Sequence, residues 1–192
     1  MGRSKQYDRD EVVEKAMKAF WDNGYENTSS RMLEEKMGIN QKTLYAEFKS
    51  KDNLFLEVLK CYETLNKAVI LYPILHSDGE LEDIRTFFKD FILAVKSGSS
   101  PNGCLFANTS IEFGSTNPPV KARLDSYYKL LYKSFFDLLK KAQSKGQLSR
   151  KANLSELSNY LIGCTEGLTV IVKVMDEKAL FAFVKKTMDS IK

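Results

Sequence analysis

Apolar residues recur along this chain at intervals of three and four, and capping residues, glycines and prolines punctuate the runs. Asp8 with Glu11 reads as an N-cap and its capping-box partner. Val13, Ala16 and Phe20 follow at helical spacing, with Val12 and Ala19 beside them, and Gly24 closes the run. Thr28-Ser29 offers the next cap. A short helix through Met32, Leu33 and Met37 stops at Gly38, and a second short helix spans about Asn40 to Phe48. Ser50 can cap a long helix from Lys51 to about Tyr72, ended by Pro73.

The rest of the chain follows the same grammar. Ser77-Asp78-Gly79 opens a helix near 80–97, and a Ser/Gly/Pro/Asn loop follows to Gly103. A helix of about 104–114 ends at Gly114. Asn117 caps the next, with Pro118 at its first position, and this one runs to about Lys145. Asn153 with Glu156 opens a helix to about Met175, and Asp176 caps a last one to about Ile191. No alternating run is bounded by hairpin turns. The pattern predicts an all-α fold of about nine helices: a three-helix head over 1–50 and a larger helical body over 51–192.

Composition removes several classes of function. The 192 residues are 43% apolar and 28% charged, enough to bury a core without disulfides. No run approaches the ~18 apolar residues of a membrane span, and the N-terminus lacks a secretory h-region. Cys61, Cys104 and Cys164 are an odd number at wide spacing, which fits neither a disulfide framework nor a metal clip. Reduced thiols and a cytoplasmic location are expected. With a single His, no phosphate loop and no nucleophile–base pair, neither an enzyme nor a metal or other cofactor is expected.

Charge changes the picture less than its sum suggests. The net +4 does not sit in the head, since residues 1–60 carry eleven basic and eleven acidic side chains. It accumulates at 121–151, with nine basic and two acidic. Any case for nucleic acid must rest on a motif.

The motif lies between Thr28 and Leu54. Two short helices flank Gly38-Ile39-Asn40, where a glycine can take the left-handed turn and an apolar residue plugs the gap. This is helix-turn-helix geometry. Leu33, Met37, Ile39, Leu44 and Phe48 form the apolar side and would pack on Val13, Ala16 and Phe20. Gln41, Lys42, Thr43 and Tyr45 are left to face outward, a polar set able to bond base edges and phosphates in a major groove.

Tyr45-x-x-Phe48-x-Ser50-Lys51-Asp52-x-Leu54, following Gly38-Ile39 and Thr43-Leu44, closely resembles the head of the tetracycline-repressor (TetR) family. The upstream Ala16-x-x-Ala19-Phe20-x-x-x-Gly24-Tyr25-x-x-Thr28 string fits as well. The resemblance covers about the first 60 residues; beyond them it rests on length and helix order. It implies that Tyr45 and Lys51 bind phosphates, helped by Thr28 and Arg31, while Gln41, Lys42 and Thr43 read bases. Arg3 and Lys5 form a short basic arm. Lys42 and Glu47 depart from the glycine and histidine many members carry there, and Glu47 places an anion near the DNA side.

For the body, the resemblance implies an effector cavity and a dimer. Phe88, Phe91, Cys104, Asn108, Glu112 and Tyr128 are the candidate effector residues, the aromatics suiting an apolar or aromatic small molecule. A packed core is the other reading of the same aromatics. Asn108 and Glu112, four apart, share one face of their helix. Leu157, Leu161, Cys164, Leu168 and Ile171 step by four and three as a heptad seam, with Phe183 and Val184 on the last helix. Gly163 and Gly167 would allow close approach on a neighbouring face. These residues suit a homodimer, as reading a palindromic DNA operator requires two heads. The expected function is a dimeric repressor released by its effector, or else a regulator whose body serves only dimerisation or a protein partner.

Overall fold

The computed structural model describes residues 7–191, which hold ten helices and no strand. They are α1 (Arg9–Asn23), α2 (Ser30–Met37), α3 (Gln41–Phe48), α4 (Lys51–Ala68), α5 (Tyr72–Leu75), α6 (Leu81–Lys96), α7 (Leu105–Phe113), α8 (Pro118–Ser144), α9 (Leu154–Ile171) and α10 (Glu177–Ser190). The basic arm expected at Arg3 and Lys5 lies outside the described residues.

The starts of the helices follow the predicted caps. Asp8, Ser29, Asn40, Asn153 and Asp176 are all extended in backbone, and each accepts from an amide of the first turn that follows. Ser50 and Asn117 do the same for Asn53 and Val120. The tenth helix is the departure. Instead of one helix reaching Tyr72, α4 ends at Ala68 and the single turn α5 follows, with Pro73 in its first turn. Proline lacks the amide that a longer helix would need there, but an orphan position at a helix start tolerates it.

The chain divides into two compact units. The first comprises Met1–Leu65 with Asn108–Arg123, so the head takes in more than the expected 1–50. The reason is aromatic packing. Phe55 of α4 meets Phe20 of α1 with ring centroids 5.0 Å apart, and Phe113 of α7 stacks on Phe55 at 5.5 Å. Trp21 meets Tyr62 edge-on at 5.1 Å. Leu33, Leu44, Leu54 and Phe48 fill the centre of this unit.

The second unit comprises Asn66–Ala107 with Leu124–Lys192. Here α6 packs on α5 and α10, and α9 on α10. Its core holds Phe87, Phe88, Phe106, Phe135, Leu161 and Leu168, all essentially without exposed surface. Several basic side chains on α8 and just past its end have partners. Lys133 meets Asp137, Lys145 meets Glu80, and Lys141 donates to the Ser77 carbonyl at 2.7 Å. In the first unit Arg123 pairs with Glu63 at 3.2 Å. Part of the basic stretch is thus held in ion pairs, Lys133 and Asp137 both on the surface.

Candidate nucleic-acid interface

The α2–α3 pair is built by short-range chemistry. Gly38 sits in the left-handed region (φ 72°, ψ 19°), which a side chain would resist, and its amide caps α2 by donating to the Glu34 carbonyl. Ile39 is buried directly after it, and Leu44 and Phe48 turn inward. This leaves Gln41, Lys42 and Tyr45 on the outer face of α3, Tyr45 at 40% exposure, and Thr43 half-buried. The Tyr45 hydroxyl and Ser30 Oγ lie 2.6 Å apart, so the ring is tied to the start of α2. Arg31 is exposed on α2 and pairs with Glu35 at 3.2 Å.

Lys51 is held differently. Its Nζ lies 4.1 Å over the ring of Tyr25. The Tyr25 hydroxyl donates to Asp52, and burial together with that carboxylate raises the phenol above its ordinary value, so it stays a donor. Gln41, Lys42, Tyr45 and Lys51, together with Arg31, therefore belong to the helix-turn-helix and the start of α4, and none is consumed by the core.

Two sequence expectations for the head fail on burial. Thr28 is fully buried and cannot reach a phosphate. Its Oγ1 donates to the Gly24 carbonyl at 2.6 Å and approaches the Ala19 carbonyl at 3.4 Å, so it stitches the end of α1 to the turn. Glu47 does not point an anion at the DNA side. It is 14% exposed in its side chain, accepts from Tyr7 Oη at 3.0 Å, and pairs with Arg9 at 3.2 Å.

The candidate effector residues divide as well. Phe88, Phe91 and Cys104 are buried in the second unit, and Tyr128 is half-buried there and hydrogen-bonds Glu166. Asn108 and Glu112 belong to the first unit. The Glu112 carboxylate is engaged by backbone: it accepts from the Tyr25 amide at 2.8 Å and the Glu26 amide at 2.7 Å. The open groove of about 510 Å3 in the second unit is lined by Val69, Asp90, Leu93, Lys96 and Glu177, none of them among the expected set.

Sequence reasoning undervalued another group in that unit. Asn66 Nδ2 donates to Tyr127 Oη at 3.0 Å, and Cys104 Sγ lies 3.8 Å from the same oxygen. Phe106 stacks on Tyr127 at 3.9 Å. Burial raises the Glu166 carboxyl above its usual range, while the Tyr128 hydrogen bond opposes that rise. Polar residues scattered over three helices carry no spacing that a sequence could reveal.

The seam expected to form the dimer faces inward. Leu161, Cys164, Leu168 and Val184 are buried within the single chain, and Thr187 Oγ1 donates to Cys164 Sγ at 3.7 Å. Leu157, Ile171 and Phe183 are half-buried. The open face of α9 is the neighbouring stripe: Tyr160, Gly163, Gly167 and Val170, continued by Val174 just past its end. A Cβ added at Gly163 or Gly167 would meet nothing within 4 Å. The leucines turned into the chain's own core, and Tyr160, the two glycines and Val170 were left outside.

Among the described residues no helix is long and apolar enough to cross a membrane, and no trio of His, Cys, Asp or Glu could hold a metal ion. Comparison with known proteins adds the following. Residues 12–58 match the sequence model described as bacterial regulatory proteins, tetR family, and 81–188 match that of the tetracyclin repressor-like C-terminal domain. The chain is 29% identical over 175 residues to an uncharacterized HTH-type transcriptional regulator, YezE, of Bacillus subtilis (strain 168), covering 91% of this chain and 90% of that one. It is 28% identical to the HTH-type transcriptional repressor ComR of Escherichia coli (strain K12), over 88% and 81% of the two chains. Among solved structures, a cysteine-substituted TetR family transcriptional regulator CifR, complexed with 26bp double-strand operator DNA, superposes with a TM-score of 0.87 at 26% identity, covering 100% of both chains.

Proposed function

This chain belongs to the tetR family of bacterial regulatory proteins and is a DNA-binding transcriptional regulator, and we propose that it acts as a homodimeric repressor released from a palindromic operator by a small, largely apolar or aromatic effector. The observation that carries the DNA reading is the outer face of α3. Gln41 and Lys42 sit at its first turn, where a recognition helix meets base edges, and Tyr45 stands one turn on beside Ser30. Lys51, set over Tyr25, supplies a phosphate contact at the start of α4.

Dimerisation is assigned here to the open stripe of α9 rather than to the leucine seam. Tyr160, Val170 and Val174 offer apolar area, and the two glycines let a partner helix approach closely. The effector is assigned to the second unit, where Tyr128 and Glu166, and Asn66 and Tyr127, put hydrogen-bonding groups among aromatic rings. A ligand that prefers a head geometry unsuited to the operator shifts the population away from binding, and a coupling of ~1–3 kcal/mol changes DNA affinity about 5–150-fold.

A second reading, a regulator whose body serves dimerisation or a protein partner only, draws on the complete burial of Phe88 and the tight Phe106–Tyr127 stack. One experiment tests both. Genomic fragments selected by the purified protein are sequenced, and the bound duplex is challenged with small aromatic and aliphatic compounds. Palindromic sites released by a compound support the first reading. Palindromic sites that no compound releases favour the second, and failure to enrich any sequence overturns the DNA assignment.

A further inference from the structure

We propose that Glu112 is a positioning residue for DNA binding: its carboxylate clamps the turn after α1 and, through Tyr25, sets Lys51 against the phosphate backbone. The inference rests on the reading of Lys51 as a phosphate contact and goes beyond it, because Glu112 lies 61 residues further along the chain and touches no DNA-facing group itself.

The geometry forms a short relay inside the first unit. Both carboxylate oxygens of Glu112 are engaged, Oε2 by the Tyr25 amide at 2.8 Å and Oε1 by the Glu26 amide at 2.7 Å. Two adjacent amides on one anion make charge-assisted hydrogen bonds, stronger than neutral ones and directional. Gly24 makes room for them. It holds φ 79°, and a Cβ there would meet both carboxylate oxygens at 3.3 Å. Any other residue at position 24 would therefore crowd the acid as well as strain the backbone.

Fixing the Tyr25 backbone fixes its ring. The ring is wedged between Phe113 at 4.9 Å, Phe55 at 5.0 Å and Phe20 at 5.8 Å. On that ring sits the Lys51 ammonium, and from its hydroxyl runs the hydrogen bond to Asp52. The first two residues of α4 are thus registered by Tyr25, and Tyr25 by Glu112. Phe113, next to Glu112 on α7, supports the same ring from the side. A displacement of this end of α7 would withdraw two hydrogen bonds and one aromatic wall together.

The test is a double-mutant cycle between Glu112 and Lys51, using the full-length protein and a random-sequence DNA duplex over a series of salt concentrations. Glu112→Ala should lower affinity about 5–30-fold, equivalent to ~1–2 kcal/mol. Its log K against log salt slope should shrink by about 0.9, as for one lost phosphate contact. In the Lys51→Ala background the same change should add nothing. Glu112→Gln, which keeps one acceptor, should fall between. Circular dichroism keeps all measurements below the unfolding transition, and amide exchange at Tyr25 and Glu26 should speed up in Glu112→Ala. A folded Glu112→Ala protein with unchanged affinity and slope overturns the proposal. So does a loss that is fully additive with Lys51→Ala. If Lys51→Ala alone binds like the parent, the phosphate reading of Lys51 is what has failed, and the relay falls with it.

Discussion

Thr28→Val separates a structural role from a DNA-contacting one at a position where sequence resemblance and structure disagree. Valine has nearly the shape of threonine, so the fully buried side chain can be replaced without a cavity or an overpacked contact. What disappears is the hydroxyl that donates to the Gly24 carbonyl at 2.6 Å. The Ala19 carbonyl, 3.4 Å away, keeps its bond from Asn23 Nδ2 at 2.8 Å, so Gly24 bears the loss. A fully buried carbonyl left short of its donor costs about 1–3 kcal/mol, and the part-buried Gly24 carbonyl should stand at the low end, about 1 kcal/mol. For a chain of this size, each kcal/mol lowers Tm by roughly 2–4 °C. The assay is thermal and urea unfolding at fixed protein concentration, paired with duplex binding well below Tm. The expected result is a lower Tm and urea midpoint with DNA affinity and salt slope unchanged. A variant as stable as the parent that binds DNA more weakly, with its salt slope reduced by about 0.9, would refute the structural role and return Thr28 to the phosphate contacts.

Three further outcomes follow from the proposed reading. Tyr45→Ala should weaken binding to operator and unrelated duplexes alike; selective loss on the operator would mean that Tyr45 reads a base. Val170→Glu with Val174→Glu should give monomers of undiminished helicity on a sizing column, because both side chains are exposed at 56% and 82%; an intact dimer would move the interface off this stripe. Glu166→Gln should raise stability near neutral pH. A carboxyl whose pKa is raised by burial holds its proton more tightly folded than unfolded, so it subtracts stability as pH rises through and above the ordinary glutamate range near ~4.3. The gain should therefore vanish once pH falls below that range, and a gain that persists in acid would point to packing instead.

Much of the fold was legible because it is local. Asp8, Ser29, Asn40, Asn153 and Asp176 act on amides two or three residues ahead, and Gly38 needs only its own φ. The outer face of α3 follows from that turn and from the inward pull of Leu44 and Phe48. The failures are non-local. Glu112 finds its amides 86 and 87 residues away, and Glu47 finds Tyr7 and Arg9 at 40 and 38. No spacing rule reaches that far. On α9 the difficulty is of another kind. Leu157, Leu161, Cys164, Leu168 and Ile171 step by four and three. Tyr160, Gly163, Gly167, Val170 and Val174 step by three and four. Both are helical stripes, and periodicity alone cannot say which one the chain keeps for itself. Burial of larger apolar groups decides it, since more area leaves water when the leucines turn inward.

Lys49 carries a consequence of its own. It closes α3 with φ 68°, the positive value being unusual for a residue with a side chain, and its amide donates to the Tyr45 carbonyl at 3.0 Å. With ψ −41° the residue lies outside the left-handed helical well, a strain of about 1–3 kcal/mol that glycine would not incur, although glycine would return part of the gain through a freer unfolded chain. The turn between α3 and α4 is therefore a place where one codon change can add durability. A library of variants sorted for heat resistance should drift toward glycine at this position, at the cost of the bond that Lys49 Nζ donates to the Ala46 carbonyl at 3.0 Å.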